Sequence, residues 1–187
     1  AMHEHLSGAS TLGVELRAEL ADKCNAAARK CEGGGLSFKA GDIGDCDLPA
    51  IDIMVALHAC DTATDLAIHQ GISKGAALIL CAPCCHKEIR PQIQIPEVLQ
   101  PMLRHGIHLG TEADMVTDTM RALLLEASGY VVKVFEFISL EHTSKNKMIT
   151  AVANGTPARA AAAREEFSRL KEFYGIRQQR LAELLEI

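Results

Sequence analysis

Tryptophan is absent from this chain, and phenylalanine and tyrosine together supply only seven residues. Any core must therefore be aliphatic, built from Ala, Leu, Ile and Val. Proline and glycine occupy only 6 and 14 positions, and hydrophobic residues make up 48%, which excludes disordered and fibrous classes. Positive charge is not in excess: 19 basic against 24 acidic residues leave a net charge of −5. That excludes a surface held to phosphates by bulk charge, while nucleic acid stays open as a local substrate. The longest apolar run, Ala76 to Pro83, falls far short of the roughly 20 residues of a membrane span. No basic-then-apolar leader opens the chain. Seven cysteines, an odd number, are then expected to be reduced thiols in a soluble, intracellular, cytoplasmic protein without membrane partners.

What is there suits a globular fold. A chain of 187 residues buries enough surface to need no metal or disulfide as a substitute for a core, and it has room for one domain plus an appendage. The expected division is an α/β domain over residues 1–154 and a helical extension over 155–187. Ala1 before Met2 reads as an addition, which places the expected native start at Met2.

The elements follow from period and punctuation. Thr11 to Glu15 reads as a strand. Leu20, Cys24, Ala28 and Cys31 recur at helical spacing until Gly33–Gly35 stops them. Leu36–Ala40, Ile51–Leu57 and Ala76–Ala82 read as further strands, the last two so continuously apolar that burial on both faces of a parallel sheet is expected. Thr62-Ala63-Thr64-Asp65 has capping-box spacing and opens a helix through His69. The alternation predicts an α/β fold. Further on, a short helix is expected from Pro96 to His105, closed by Gly106, and a longer one from Glu112 to Ser128, closed by Gly129. Tyr130–Ile138 and Lys147–Ala153 are expected to pair antiparallel, since no helix-length insert separates them. Thr156-Pro157 caps a final helical stretch with Leu181, Leu184 and Leu185 on one stripe.

Chemistry-bearing residues gather at strand ends. Glu15 closes the first strand at the carboxyl edge, where open α/β sheets bind ligands, and its carboxylate suits the hydroxyls of a ribose. Asp42 and the following Ile43 close the second strand, where an acid and a backbone N–H suit an adenine. Each acid alone reads equally as a cap or turn residue. His58-Ala59-Cys60-Asp61 ends the third strand and Pro83-Cys84-Cys85-His86 the fourth, so both groups are expected at one mouth. Thiolate and imidazole are zinc ligands, yet no metal is expected here: adjacent Cys84 and Cys85 should point apart, and no paired knuckle occurs. Cys84 after Pro83 also reads as a nucleophile assisted by His86 or Asp61. Cys24, Cys31 and Cys81 read as small core hydrophobes.

The order of these motifs resembles the class I S-adenosylmethionine-dependent methyltransferases. Within that class, Val55-Ala56-Leu57-His58-Ala59-Cys60-Asp61, Ala82-Pro83-Cys84-Cys85-His86-Lys87 and Glu141-His142-Thr143-Ser144-Lys145-Asn146 are similar to a subfamily with Leu-His-x-Cys and Pro-Cys-Cys-His elements. It includes proteins described by a glutathione S-transferase C-terminal domain. The resemblance implies a Rossmann-like sheet, mostly parallel with an antiparallel terminal pair, and S-adenosylmethionine as cofactor. It implies Glu15, Asp42, Ile43 and His58 at the cofactor, and His58, Asp61, Cys84 and His86 at the reacting groups. In the family a first strand with a glycine-rich turn precedes the strand that ends in Glu15. Met2 to Leu6 reads as the tail of the helix after that turn, so the first strand is expected upstream, and without it this chain is expected to bind the cofactor weakly or not at all. The strand's absence is expected to be made good by pairing of Thr11–Glu15 with Ile51–Leu57 or by a homodimer. The methyl acceptor, whether small molecule, protein or RNA, stays open. The alternatives are a non-catalytic Rossmann-like binding or dimerisation module, and a nucleotide-binding oxidoreductase, which no glycine-rich dinucleotide turn supports.

Overall fold

A computed structural model describes residues 8–30, 35–57, 59–136 and 146–187. It divides into two compact units, Ala1–Asp47 and Leu48–Ile187. In the first unit, β1 (Thr11–Glu15) and β2 (Leu36–Ala40) form a parallel pair flanked by α1 (Ala18–Ala28). The register runs from Thr11 opposite Leu36 to Glu15 opposite Ala40. Asn25 of α1 fastens the helix to β2, donating to the Phe38 carbonyl and accepting from the Phe38 N–H, both at 2.8 Å.

The second unit is built on a four-stranded sheet, ordered β3 (Ile53–Leu57), β4 (Leu78–Ala82), β6 (Lys147–Val152) and β5 (Val131–Glu136). β3 and β4 are parallel neighbours, while β6 runs antiparallel to both β4 and β5; the pairing of β5 with β6 is the one that the connection length predicts. Met54 and Ala56 of β3, Ile79 and Cys81 of β4, and Ile149 and Ala151 of β6 are register partners on one face, and all are buried. Over that face lies α2 (Thr62–Ser73), brought close by Gly71, where an added Cβ would stand 3.1 Å from the Met54 Cβ. The long helix α4 (Gly106–Ala127), preceded by the one-turn α3 (Gln100–Leu103), packs on β5 and β6. Two C-terminal helices complete the unit: α5 (Pro157–Phe173) lies along α4, and α6 (Arg180–Leu184) packs on α2. Thr156 caps α5 as expected, its hydroxyl accepting from the Arg159 N–H.

Four expectations need correction. β3 is not buried on both faces: Met54 and Ala56 are buried, but Ile53, Val55 and Leu57 are 39%, 46% and 58% exposed, because the helices of this unit cover one face. β1 and β3 do not pair; among the described residues they belong to separate sheets. Gly106 does not close a helix but begins α4, so the helix starts six residues before Glu112. Asp65 does not complete a capping box. Asp61 holds the N-cap position of α2 without a side-chain cap, and Asp65 is fully buried against a cation described below. No helix among the described residues is long and apolar enough to cross a membrane.

Candidate functional site

In the first unit, the parallel register places the end of β1 and the turn after β2 at one carboxyl edge. The Gly41 N–H donates to the Glu15 carbonyl at 3.0 Å. The Glu15 carboxylate accepts from the Arg17 backbone N–H and from Arg17 Nε, both at 3.1 Å on Oε1. These bonds hold its carboxyl below the usual range, so it is an ionised acceptor at neutral pH. Asp42 turns the chain locally, Oδ1 accepting from the Gly44 N–H at 2.8 Å, the turn role its residue type allows. Ile43 lies half-buried in that turn.

In the second unit, the parallel pairing of Leu57 with Ala82 carries the two Cys-containing turns out at one height. Residue 58, read above as a candidate at both cofactor and acceptor, lies outside the described residues, as does Cys31. Cys60 is exposed and Cys84 and Cys85 are half-buried. Their sulfurs form a triangle with sides of 3.5 Å (Cys60–Cys84), 3.6 Å (Cys84–Cys85) and 3.7 Å (Cys60–Cys85). The expectation that Cys84 and Cys85 diverge is therefore corrected. Adjacent residues alternate faces only within a strand, and β4 ends at Ala82, before Pro83 turns the chain. Crowding has an electrostatic consequence. Burial and the neighbouring thiols push the Cys84 thiol up to about 12, so as a protein with no bound cation it presents a thiol and not a thiolate nucleophile.

The turns are locked together. Asp61 Oδ1 accepts from the backbone N–H groups of Lys87 at 2.8 Å and Glu88 at 3.1 Å, while its backbone sits at φ 55°, ψ −125°, a conformation costly for a residue with a Cβ. That strained residue stands where the two loops meet. Beneath them runs a buried polar network that the sequence did not reveal. His86 is buried, its Nε2 2.9 Å from Asp118 Oδ1 and its Nδ1 2.6 Å from Asp114 Oδ1. Arg121 donates to both oxygens of Asp65, at 3.0 and 2.7 Å, and to the Asp61 carbonyl at 2.9 Å. Gln179 adds a third donor to Asp65 at 2.8 Å. Asp114, Asp118 and Arg121 stand at i, i+4 and i+7 on α4, a helical spacing that puts three charged residues on the covered face. That pattern was the available signal. His86 thus supports the loop from below, whereas Cys84 and Cys85 line its upper side. Of the other expected core thiols, Cys81 is fully buried and Cys24 half-buried.

Residues 1–92 match the family model described as a methyltransferase domain. The glutathione S-transferase C-terminal domain-containing protein homolog of Drosophila pseudoobscura pseudoobscura is 37% identical over 51 residues, 27% of this chain and 8% of that protein. This chain therefore corresponds to a small part of that relative. Among solved structures, the citrinin polyketide synthase CMeT domain aligns with a TM-score of 0.43 at 14% identity, over 79% of this chain and 40% of that one. The YcgJ protein of Bacillus subtilis aligns with a TM-score of 0.40 at 9% identity, over 97% and 74%. Over residues 1–92, just under half its length, the chain is similar to methyltransferase domains.

Proposed function

We propose that this chain serves S-adenosylmethionine-dependent methyl transfer, with the carboxyl edge of β1 and β2 receiving the adenosine part of the cofactor. The observation that carries this reading is the register of Glu15 with Ala40, which brings the acid and the Asp42 turn to one edge within the matched residues 1–92. Arg17 occupies Glu15 Oε1, and Oε2 remains to accept ribose hydroxyls. An ionised carboxylate makes such bonds strong. Asp42 and the N–H of Ile43 would meet the adenine. When bound, the cofactor supplies a methyl group made electrophilic by a positively charged sulfur. The residues of the first unit would bind and orient the cofactor, and in the second unit His86 holds the loop that carries Cys84. The acceptor remains a small molecule, protein or RNA. A homodimer fits the exposed strip Ile53, Val55 and Leu57.

Saturation-transfer NMR with S-adenosylhomocysteine tests the reading, because it detects weak binding and reports which part of the ligand touches protein. Ribose and adenine protons should receive saturation. In Glu15→Ala, loss of charge-assisted bonds should weaken binding roughly ten- to a hundred-fold. Transfer unchanged in Glu15→Ala, or saturation confined to protons outside ribose and adenine, would overturn the assignment.

A further inference from the structure

We propose that Cys60, Cys84 and Cys85 form a binding site for a zinc-class cation, held by their three thiolates. This proposal stands apart from the methyl-transfer reading, since it concerns side chains of the second unit alone.

The geometry of the sulfur triangle is the first argument. A tetrahedral zinc ion binds thiolates at about 2.3 Å, so the sulfurs on one face of its coordination sphere lie about 3.8 Å apart. The observed sides are 3.5, 3.6 and 3.7 Å, close to that value on all three edges. A disulfide would need one pair at about 2.0 Å, and no pair is near it.

The scaffold is the second argument. Ligand geometry must be set by bonds other than those to the metal if a site is to be ready before the ion arrives. Here the turn bearing Cys60 is fixed to the turn bearing Cys84 and Cys85 by the two bonds from Asp61 to Lys87 and Glu88. Arg121 holds the Asp61 carbonyl from below, and the Thr64 hydroxyl donates to the Ala59 carbonyl. None of these bonds involves sulfur. The network therefore positions three thiols through backbone and side-chain groups other than the sulfurs.

The donor set is the third. Three sulfurs select a soft or borderline ion over magnesium or calcium, which take oxygen. Among the described residues the cluster has three members, and Cys60 is exposed, so an ion can reach the sulfurs from solvent. Binding is balanced by release of thiol protons: each Cys that coordinates gives up its S–H proton to solvent, and the ion takes the sulfur lone pair.

The test begins with the whole chain, reduced and stripped of metal by chelator. Cobalt(II) titrated at neutral pH should give one equivalent of sulfur-to-cobalt charge-transfer absorption with the visible bands of a tetrahedral ion, and zinc should abolish both by displacement. One equivalent of zinc should also protect Cys60, Cys84 and Cys85 together from iodoacetamide, read by peptide mass spectrometry, while Cys24 stays unprotected. Cys85→Ser should lower zinc affinity, measured against a chromophoric chelator, at least about ten-fold. The protection experiment needs no variant, so a poorly folding substitution does not blunt it. Cobalt binding without the sulfur band would show ligation by other groups, such as exposed histidines, and would overturn the proposal. So would unprotected thiols at saturating zinc.

Discussion

Arg121 and Asp65 form a two-pronged ion pair at 3.0 and 2.7 Å with both side chains out of contact with water. α4 and α2 are joined by that contact, and through the Asp61 carbonyl the same guanidinium holds the Cys60 turn. Desolvation disfavours the buried cation, but the hydrogen bonds and charge of Asp65 outweigh it and raise Arg121 above its ordinary value. Removing one partner leaves the other charge buried and uncompensated. Arg121→Met should cost about 3–5 kcal/mol of folding stability, measured by urea denaturation. A loss under about 1 kcal/mol would show that water reaches Asp65.

Asp61 joins strain to function as a clasp, and a substitution series separates the two. Asp61→Asn keeps an acceptor for Lys87 and Glu88 and should cost little. Asp61→Ala loses both bonds and keeps the strained backbone, which should cost about 1–3 kcal/mol. Asp61→Gly loses the same bonds but relieves the positive φ, so it should be more stable than Asp61→Ala by about 1 kcal/mol. Thermal denaturation of the three variants checks the order, and an Ala variant as stable as the Gly variant would contradict the strain.

Glu88 sets a pH dependence. Burial raises its carboxyl above the ordinary value, against the lowering effect of the Arg180 N–H that donates to it at 3.2 Å. The folded state therefore holds this proton more tightly than the unfolded state. Between the ordinary glutamate range and its raised folded value, the unfolded chain binds fewer protons, and the contribution of Glu88 to stability falls as pH rises. Glu88→Gln keeps an acceptor for Arg180 and removes the titration. Its stability relative to the original chain should increase on going from pH 4 to pH 7 in urea denaturation. A difference independent of pH would remove Glu88 from the account.

Local chemistry decided much of this protein before folding. The strands Thr11–Glu15 and Leu36–Ala40 carry their own boundaries in apolar runs and adjoining turn residues, and Thr156-Pro157 starts α5 because a hydroxyl cap and a pre-set φ act within one turn. The Leu-His-x-Cys and Pro-Cys-Cys-His elements likewise mark the mouth of β3 and β4 by their places after apolar strands. Contacts between distant residues carry no such local mark. Asp65 has capping spacing, yet a guanidinium 56 positions away claims it, because a buried cation needs a carboxylate more than a helix end needs a cap. Cys84 and Cys85 diverge by strand rules and converge on Cys60 only because β4 has ended before them. His86 reads as a reactive group in the motif, and only the fold shows that α4 brings Asp114 and Asp118 to both its nitrogens. Apolar period and turn chemistry are properties of neighbouring residues and survive in the sequence; desolvation and charge pairing depend on which residues the closed fold brings together.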